Sequence, residues 1–364
     1  MYLRPFIVLG TRPEIIKLAP VVHECESRGI DTFLLHTGQH YSETMSSSIF
    51  DDMDLREPDK NLDIGSGTHS EQTAKAMVGI ERELLHEKPD VVVVEGDTNA
   101  VLSAALAAAK LRIPIAHVEA GLRSYDTRMP EEHNRRLTDH VSDYLFAPTD
   151  NSARILRNEN VFGKVFVTGN TVIDALESQL PIAKKKPNLA ARLGLKDFAL
   201  LTLHRAENVD TKETLEGIVD GLISLGRNIL FSAHPRTVRR LQEFGLAKKI
   251  ESSGNNIKMI DPVPYLDFLR LIQTCSFVLT DSGGIQEEVT APSLNRKVFV
   301  LRTSTERPEA VESGHATVVG VDPRKFPQAI LDEIDRGLDD ERPCPYGDGT
   351  ASKKIVDILA EEIR

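Results

Sequence analysis

The run Thr280-Asp281-Ser282-Gly283-Gly284-Ile285-Gln286-Glu287-Glu288 closes an apolar strand, Phe277–Leu279, and passes straight into a helix-forming segment. Free backbone N–H groups and a positive dipole end meet at such a junction, which is the chemistry of a phosphate site. Gly283 and Gly284 put no Cβ between a diphosphate and the backbone, and Ser282 offers a hydroxyl. Glu288 stands one helical turn beyond Gly284 on the same side, where a carboxylate can accept both hydroxyls of a ribose. A tight turn capped by Ser282 would show the same local pattern, so the other runs decide the matter.

Acids emerge where other strands end. Asp97 follows the apolar run Val91–Glu95, Glu119 follows Ile115–Val118, and Glu131 begins a helix after Met129-Pro130. Singly, each reads as a helix-capping or solvated side chain. Three acids at one rim of one sheet raise at least one pKa by repulsion and desolvation, which supplies separate acid and base groups near neutral pH. Cations occupy equivalent places: Arg12 in Gly10-Thr11-Arg12-Pro13, with Lys17 a turn later, then His204 and Arg205 in Thr202–Asn208, and Arg307 in Thr305-Glu306-Arg307-Pro308. The fork of an arginine suits phosphate, and His204 is set to donate to a phosphate or to a departing oxygen.

Positioning these groups takes a regular scaffold. Pro5–Leu9, Thr32–His36, Val91–Glu95, Ile115–Val118, Leu145–Ala147 and Val165–Val167 read as strands, with helices at Lys17–Arg28, Ser70–His86 and Ala100–Leu111 between them. A second series follows: Phe198–Leu203, Ile229–Phe231, Ile257–Ile260, Phe277–Leu279, Val298–Leu301 and Thr317–Val319. Strand–helix alternation predicts parallel sheets covered on both faces, that is, an α/β chain of two doubly wound Rossmann-like domains whose strand C-terminal ends face an interdomain cleft. The expected division is residues 1–170 plus 351–364 for the acids, and 171–350 for the nucleotide, with Lys184-Lys185-Lys186-Pro187-Asn188 a solvated connector at or just beyond the boundary. At roughly 100–200 residues per domain, 364 residues imply the same two domains.

A formal net charge of −11 argues against nucleic acid and anionic membranes as partners, so an anionic substrate must meet local positive charge. Three scattered cysteines, Cys25, Cys275 and Cys344, fit a reducing compartment, and without a secretory leader or long apolar run the chain reads as cytoplasmic. No metal-ligand spacing stands out, and the first strand lacks a GxGxxG fingerprint, so neither a metal nor a nicotinamide cofactor is expected.

Gly10–Lys17, Gly96-Asp97-Thr98, His117–Arg123, Pro130–Arg135, Asp281–Glu288 and Thr305–Ala310 together resemble, in order, the signatures of the non-hydrolysing UDP-N-acetylglucosamine 2-epimerases. The resemblance spans nearly the whole chain. It implies a glycosyltransferase-B-like architecture in which the closing helix, Ala351–Ile363, returns to the first domain. It implies catalytic roles for Asp97, Glu119, Glu131 and His204, and substrate contacts from Arg12, Lys17, Arg135, His204, Arg205, Ser282, Gly283, Gly284, Glu288 and Arg307. The implied reaction converts UDP-N-acetylglucosamine to UDP-N-acetylmannosamine by eliminating UDP to a 2-acetamidoglucal and adding it back; the implied assembly is a homodimer, in polysaccharide biosynthesis. A UDP-sugar glycosyltransferase of the same build, a sugar-nucleotide binding protein without turnover and a hydrolysing epimerase releasing N-acetylmannosamine are the alternatives. Two departures stand out: Ala206 replaces a cation usual after Arg205, and Gln39-His40 is followed by Ser42 while Gly65–His69 holds no arginine, unlike the bacterial pattern for activation by a second sugar nucleotide.

Overall fold

The computed structural model describes residues 3–38, 49–252, 254, 256–337 and 342–363; Gln39, His40 and Ser42 lie outside the described residues. The chain forms two compact units, one running to Leu176 and resuming at Tyr346, the other Glu177–Pro345.

The first unit is built on seven parallel strands: β1 (Pro5–Leu9), β2 (Phe33–His36), β3 (Lys60–Asn61), β4 (Val91–Glu95), β5 (Ile115–Val118), β6 (Tyr144–Ala147) and β7 (Lys164–Val167), in the order β3-β2-β1-β4-β5-β6-β7. β1, β4 and β5 are buried along their whole length, which is why they read as mostly apolar runs rather than alternating ones. Phe6 pairs in register with Phe33 on one side and Val92 on the other. Alanines of the helix Asn99–Leu111 let it settle closely against the sheet, where Ala104, Ala105 and Ala108 share a core with Val8, Val92 and Val94. β3 has no counterpart in the sequence reading: two exposed polar residues at a sheet edge carry no apolar signal.

The second unit repeats the winding with β8 (Ala199–Thr202), β9 (Ile229–Ser232), β10 (Ile257–Ile260), β11 (Phe277–Thr280), β12 (Val298–Val300) and β13 (Ala316–Val318), ordered β10-β9-β8-β11-β12-β13 and parallel throughout. Both sheets reverse direction of growth beside their first strand, between β1 and β4 and between β8 and β11. In open α/β sheets that is where ligands bind, outside the strands' carboxyl ends.

The chain leaves the first unit within the helix Thr171–Ala183 and rejoins it at Tyr346. Asn170 N donates to the Tyr346 carbonyl (2.8 Å). Buried Asp174 then accepts from Ala351 N (3.2 Å), Ser352 N (2.8 Å) and Ser352 Oγ (2.6 Å), satisfying orphan donors at the start of the closing helix Ala351–Glu362. That helix packs on Arg12–Ser27, with Arg28 Nη1 2.6 Å from Asp357. No helix among the described residues is long and apolar enough to cross a membrane.

Asp174→Ala should therefore lower unfolding stability by about 1–3 kcal/mol, the scale for stranding buried donors and losing a cap. A denaturation midpoint equal to wild type would show that the closing helix is held by its apolar face alone.

Candidate active site

The turn after β1 is closed by Glu14, whose buried carboxylate accepts from Gly10 N (2.5 Å), Thr11 N (3.2 Å) and Thr11 Oγ1 (3.2 Å). Burial raises its pKa to about 7, against hydrogen bonds from Thr98, Gly10 and Thr11 that favour the ion. Thr98 belongs to the turn after β4, so Glu14 ties together the two turns at the reversal point. Arg12 opens the helix Arg12–Ser27 as an exposed side chain, and Lys17 follows on the same helix.

Lys17 Nζ lies 3.1 Å from Glu95 Oε1 and also pairs with Glu119. Glu119 accepts from Asn170 Nδ2 (2.9 Å) and holds a left-handed backbone, φ 65°. Such a conformation in a glutamate costs of order 1–3 kcal/mol and marks a place where aim outranks comfort. Glu95 is 2% exposed; burial raises its proton affinity well above the usual carboxylate range, Lys17 opposes, and Glu119 and Glu14 add to the rise.

Asp97 stands after Gly96, whose φ of +83° suits glycine. Its carboxylate is gripped by Arg135, Nε at 3.2 Å with Nη2 also paired, and its carbonyl accepts from Asn134 Nδ2 (2.9 Å). Beneath it, His117 donates from Nε2 to the Gly96 carbonyl (2.8 Å), and its Nδ1 lies 2.7 Å from Asp139. Asp139 in turn meets Arg123 (2.7 Å), which reaches Glu159. This buried chain fixes the Gly96-Asp97 turn. Glu131, second residue of the helix Pro130–Val141, is four residues before Arg135 and so shares its face. Half-buried Glu131 meets no hydrogen-bond or ion-pair partner among the described residues, whereas its neighbour Glu132 is fully buried, accepting from Ser124 N (2.8 Å) and Arg135 Nη1 (3.0 Å).

In the second unit, buried Asp281 clips the turn after β8 to the end of β11. It accepts from His204 N (3.1 Å), Arg205 N (2.9 Å) and Asn208 Nδ2 (3.1 Å), and His204 Nδ1 is 3.1 Å away. Burial alone would raise this carboxyl, yet the His204 ring and the backbone donors hold it below its usual value. His204, its side chain 42% exposed, is thus aimed by one nitrogen with the other turned outward. His234, at the end of β9 and unremarked in the sequence, lies with its ring 6.4 Å from that of His204; burial, then His204 and Arg236, lower its proton affinity.

Arg205 Nη2 donates to Glu306 (2.8 Å), as does Arg302 Nη1 (2.5 Å), while Arg307 pairs with buried Glu287. Glu306, which burial would raise, is brought down to about 2 by Arg307, Arg205 and Arg302. The arginines are therefore held in place by carboxylates. A Cβ on Gly283 would lie 2.8 Å from Glu306 Oε1 and would push that carboxylate aside, while around Gly284 the nearest atom is Ser282 Oγ at 3.9 Å and the backbone lies open. The helix Gly283–Glu288 has six residues, so its free N–H groups rather than a long dipole supply any anion affinity. The Ser282 side chain makes no capping bond, and Glu288 is half-buried one turn after Gly284.

The sequence and the two doubly wound sheets both have counterparts among known proteins. A sequence profile of the UDP-N-acetylglucosamine 2-epimerase family covers residues 23–360. The chain belongs to that family. It is 50% identical to the UDP-N-acetylglucosamine 2-epimerase of Methanocaldococcus jannaschii, over 97% of this chain and 98% of that protein. It is 38% identical to a UDP-2,3-diacetamido-2,3-dideoxy-D-glucuronate 2-epimerase of Pseudomonas aeruginosa, again over 97% and 98%. The crystal structure of the M. jannaschii UDP-GlcNAc 2-epimerase in complex with UDP-GlcNAc and UDP superposes with a TM-score of 0.88 at 49% identity, covering 99% of this chain and all of that one. The build of two doubly wound sheets is the glycosyltransferase-B-like one expected.

Glu14 gives a pH test. The unfolded carboxyl loses its proton near 4.5 and the folded one near 7, so the native form, holding the proton longer, is progressively disfavoured as pH rises between them, by ~3 kcal/mol in total. Glu14→Gln should remove that slope, so that variant-minus-wild-type stability shifts in the variant's favour from pH 4.5 to pH 7. Parallel stability curves for the two proteins would contradict a proton held on Glu14.

Proposed function

We propose that this protein interconverts UDP-N-acetylglucosamine and UDP-N-acetylmannosamine without hydrolysis. The observation that carries the reading is the trio Asp97, Glu119 and Glu131 at one sheet rim, two of them oriented by cations and Glu131 without a partner among the described residues. The hydrogen on C2 of the sugar is weakly acidic. A feasible route removes it as the C1–O bond breaks, releasing UDP and leaving a 2-acetamidoglucal; UDP then adds back at C1 as C2 receives a proton on the opposite face. That chemistry needs an acid and a base near neutral pH on either side of C2 and a firm hold on UDP.

Asp97, Glu119 and Glu131 supply the first requirement, with Lys17 and Arg135 setting the charge and aim of Glu119 and Asp97. For the second, the open backbone of Gly283 and Gly284, Ser282, His204, Arg205, Arg307 and Arg12 are assigned to the diphosphate, and Glu288 to the ribose. His204 also serves as donor to the departing oxygen, a role supported by Asp281 aiming its ring. From the family resemblance we further assign a cytoplasmic homodimer that supplies polysaccharide synthesis.

Proton NMR of UDP-N-acetylglucosamine with the protein in D2O should show the C2 epimer carrying deuterium at C2 and little free UDP. Accumulation of UDP with free N-acetylmannosamine would replace this reading with the hydrolysing one; no C2 exchange at all would remove epimerisation.

Asp97→Asn, Glu119→Gln and Glu131→Gln should each lower kcat by ~10²–10⁴-fold with UDP affinity nearly unchanged, as expected for a displaced acid or base. Wild-type turnover in any one removes that residue from the mechanism. Glu288→Gln should instead weaken UDP binding by roughly 1.5–3 kcal/mol, the cost of a charge-assisted acceptor, and unchanged affinity by calorimetry would exclude it from the ribose.

A further inference from the structure

His117 lies wholly buried in the otherwise apolar β5, and the reaction as described does not call on its charge. Its hydrogen bonds determine that charge. Nε2 is 2.8 Å from the Gly96 carbonyl, which can only accept, so Nε2 carries a hydrogen. Nδ1 is 2.7 Å from Asp139 Oδ1, while Asp139 Oδ2 accepts from Gly121 N (3.3 Å) and meets Arg123 Nη1 (2.7 Å), the surroundings of an ionised carboxylate. A neutral imidazole has one N–H and would set a lone pair against one of these two oxygens. Two donations make the ring an imidazolium. Behind Asp139, Arg123 donates from Nε (3.0 Å) and Nη2 (2.7 Å) to Glu159, whose carboxyl these bonds hold below its usual range. His117 and Arg123 thus alternate with Asp139 and Glu159, two cations with two anions, and only Glu159 reaches the surface. From the helix that carries Asp139, Arg136 and His140 also act on Glu159, whereas Glu132 and Arg135 turn to Ser124 and Asp97.

We propose that His117 is a buried imidazolium that acts as a positioning residue for Asp97 by holding the Gly96 carbonyl inward. The inference rests on the epimerase reading, in which Asp97 works as an acid or base. Three successive peptide groups at this turn are each tied to a different atom. Gly96 N donates to the Val118 carbonyl (3.2 Å), the Gly96 carbonyl accepts from His117, and the Asp97 carbonyl accepts from Asn134 Nδ2 (2.9 Å). The middle group needs its tie most. Gly96 has φ +83°, and a Cβ there would meet nothing within 4 Å, so neither packing nor the preferences of glycine oppose rotation of the Gly96–Asp97 peptide. Such a rotation changes φ at Asp97, and with it the direction in which the side chain leaves the backbone. A charged donor resists it better than a neutral one. Arg135 holds the Asp97 carboxylate, and His117 holds the backbone that carries it.

The charge is read without turnover, by nitrogen NMR of wild-type protein carrying isotope-labelled histidine. Both ring nitrogens of His117 should keep their hydrogens from about pH 6 to about pH 9, the range in which an ordinary histidine loses its charge. A His117 ring with a single N–H near neutral pH would overturn the proposal. Its role is read from two variants that divide the ring's bonds between them. His117→Gln reaches as far as Nε2 and can still donate to Gly96, whereas His117→Asn reaches only as far as Nδ1, toward Asp139. His117→Gln should keep kcat within about tenfold of wild type and His117→Asn should lower it by about 10²-fold, the scale for a misaimed catalytic group, with UDP affinity unchanged in both. Equal losses in the two variants, or wild-type kcat in His117→Asn, would overturn the positioning role, since a merely structural histidine would not rank them. The ring signals are assigned by their loss in either variant or, should neither fold, by their contacts with the Gly96 hydrogens, and the wild-type spectrum then decides. Absence of epimer from wild type together with a doubly protonated ring would strike the functional reading and leave the buried charge standing.

Discussion

Lys17 sets its ammonium between two buried carboxyls, Glu119 and Glu95, the latter pushed by burial toward its neutral form, and much of the first unit's architecture follows from keeping that arrangement in register. Glu119 accepts a left-handed backbone to reach it, and Asn170, from the segment leading to Asp174 and the closing helix, supplies a further donor. Glu14 binds the turn after β1 and takes a bond from Thr98 of the turn after β4, so the helix that carries Lys17 cannot shift without disturbing the turn that carries Asp97. Charge matching in a site shielded from water is thus obtained by fixing backbone turns, the preorganised electrostatics that acid–base catalysis at carbon demands.

The second unit meets the same constraint with opposite means. One fully buried carboxylate, Asp281, is satisfied by backbone donors of His204 and Arg205 and by the His204 ring, and it thereby locks the turn after β8 against the end of β11. Glu306 and Glu287 hold Arg205, Arg302 and Arg307 in a cluster whose charge is nearly balanced before any substrate arrives. An unbalanced nest of arginines would bind phosphate more tightly, but it would also repel itself. Anchoring each guanidinium on a carboxylate fixes its direction, and the open backbone at Gly284 leaves room for an anion to approach. At both reversal points, an acid with no access to water has determined where the polar side chains point.

Much of this was legible in the sequence, for a physical reason. Parallel strands buried on both faces must be apolar throughout, so β1, β4, β8 and β11 announce themselves, and polar residues at their ends are at the carboxyl rim by necessity. What the chain could not reveal is which of two adjacent acids turns inward. Glu131 and Glu132 differ by one residue, about 100° of helix rotation, and that step separates an unpartnered carboxylate from one with three bonds. Partners far apart in sequence were equally hidden: His117 and Asp139, Asp281 and His204, Glu287 and Arg307. Lys17 and Arg307 read as cations for the substrate, and the structure shows each already committed to a buried carboxylate, which has no local sequence signal. The edge strand Lys60–Asn61 escaped for the opposite reason, since hydrogen bonding rather than burial defines it.

The central claim is that the sugar–UDP bond breaks and re-forms within each turnover, with the acids of the first unit moving the proton while the second unit retains UDP. Substrate carrying a heavy-oxygen label in the position bridging C1 and the β-phosphate reports this directly. If UDP is eliminated and added back, its freed β-phosphate oxygens become equivalent, and phosphorus NMR of sugar nucleotide recovered before equilibrium should show label moving from the bridging to the non-bridging positions as epimer forms. Epimer formed with the label wholly retained at the bridge would mean that the C1–O bond never broke, and would contradict the account.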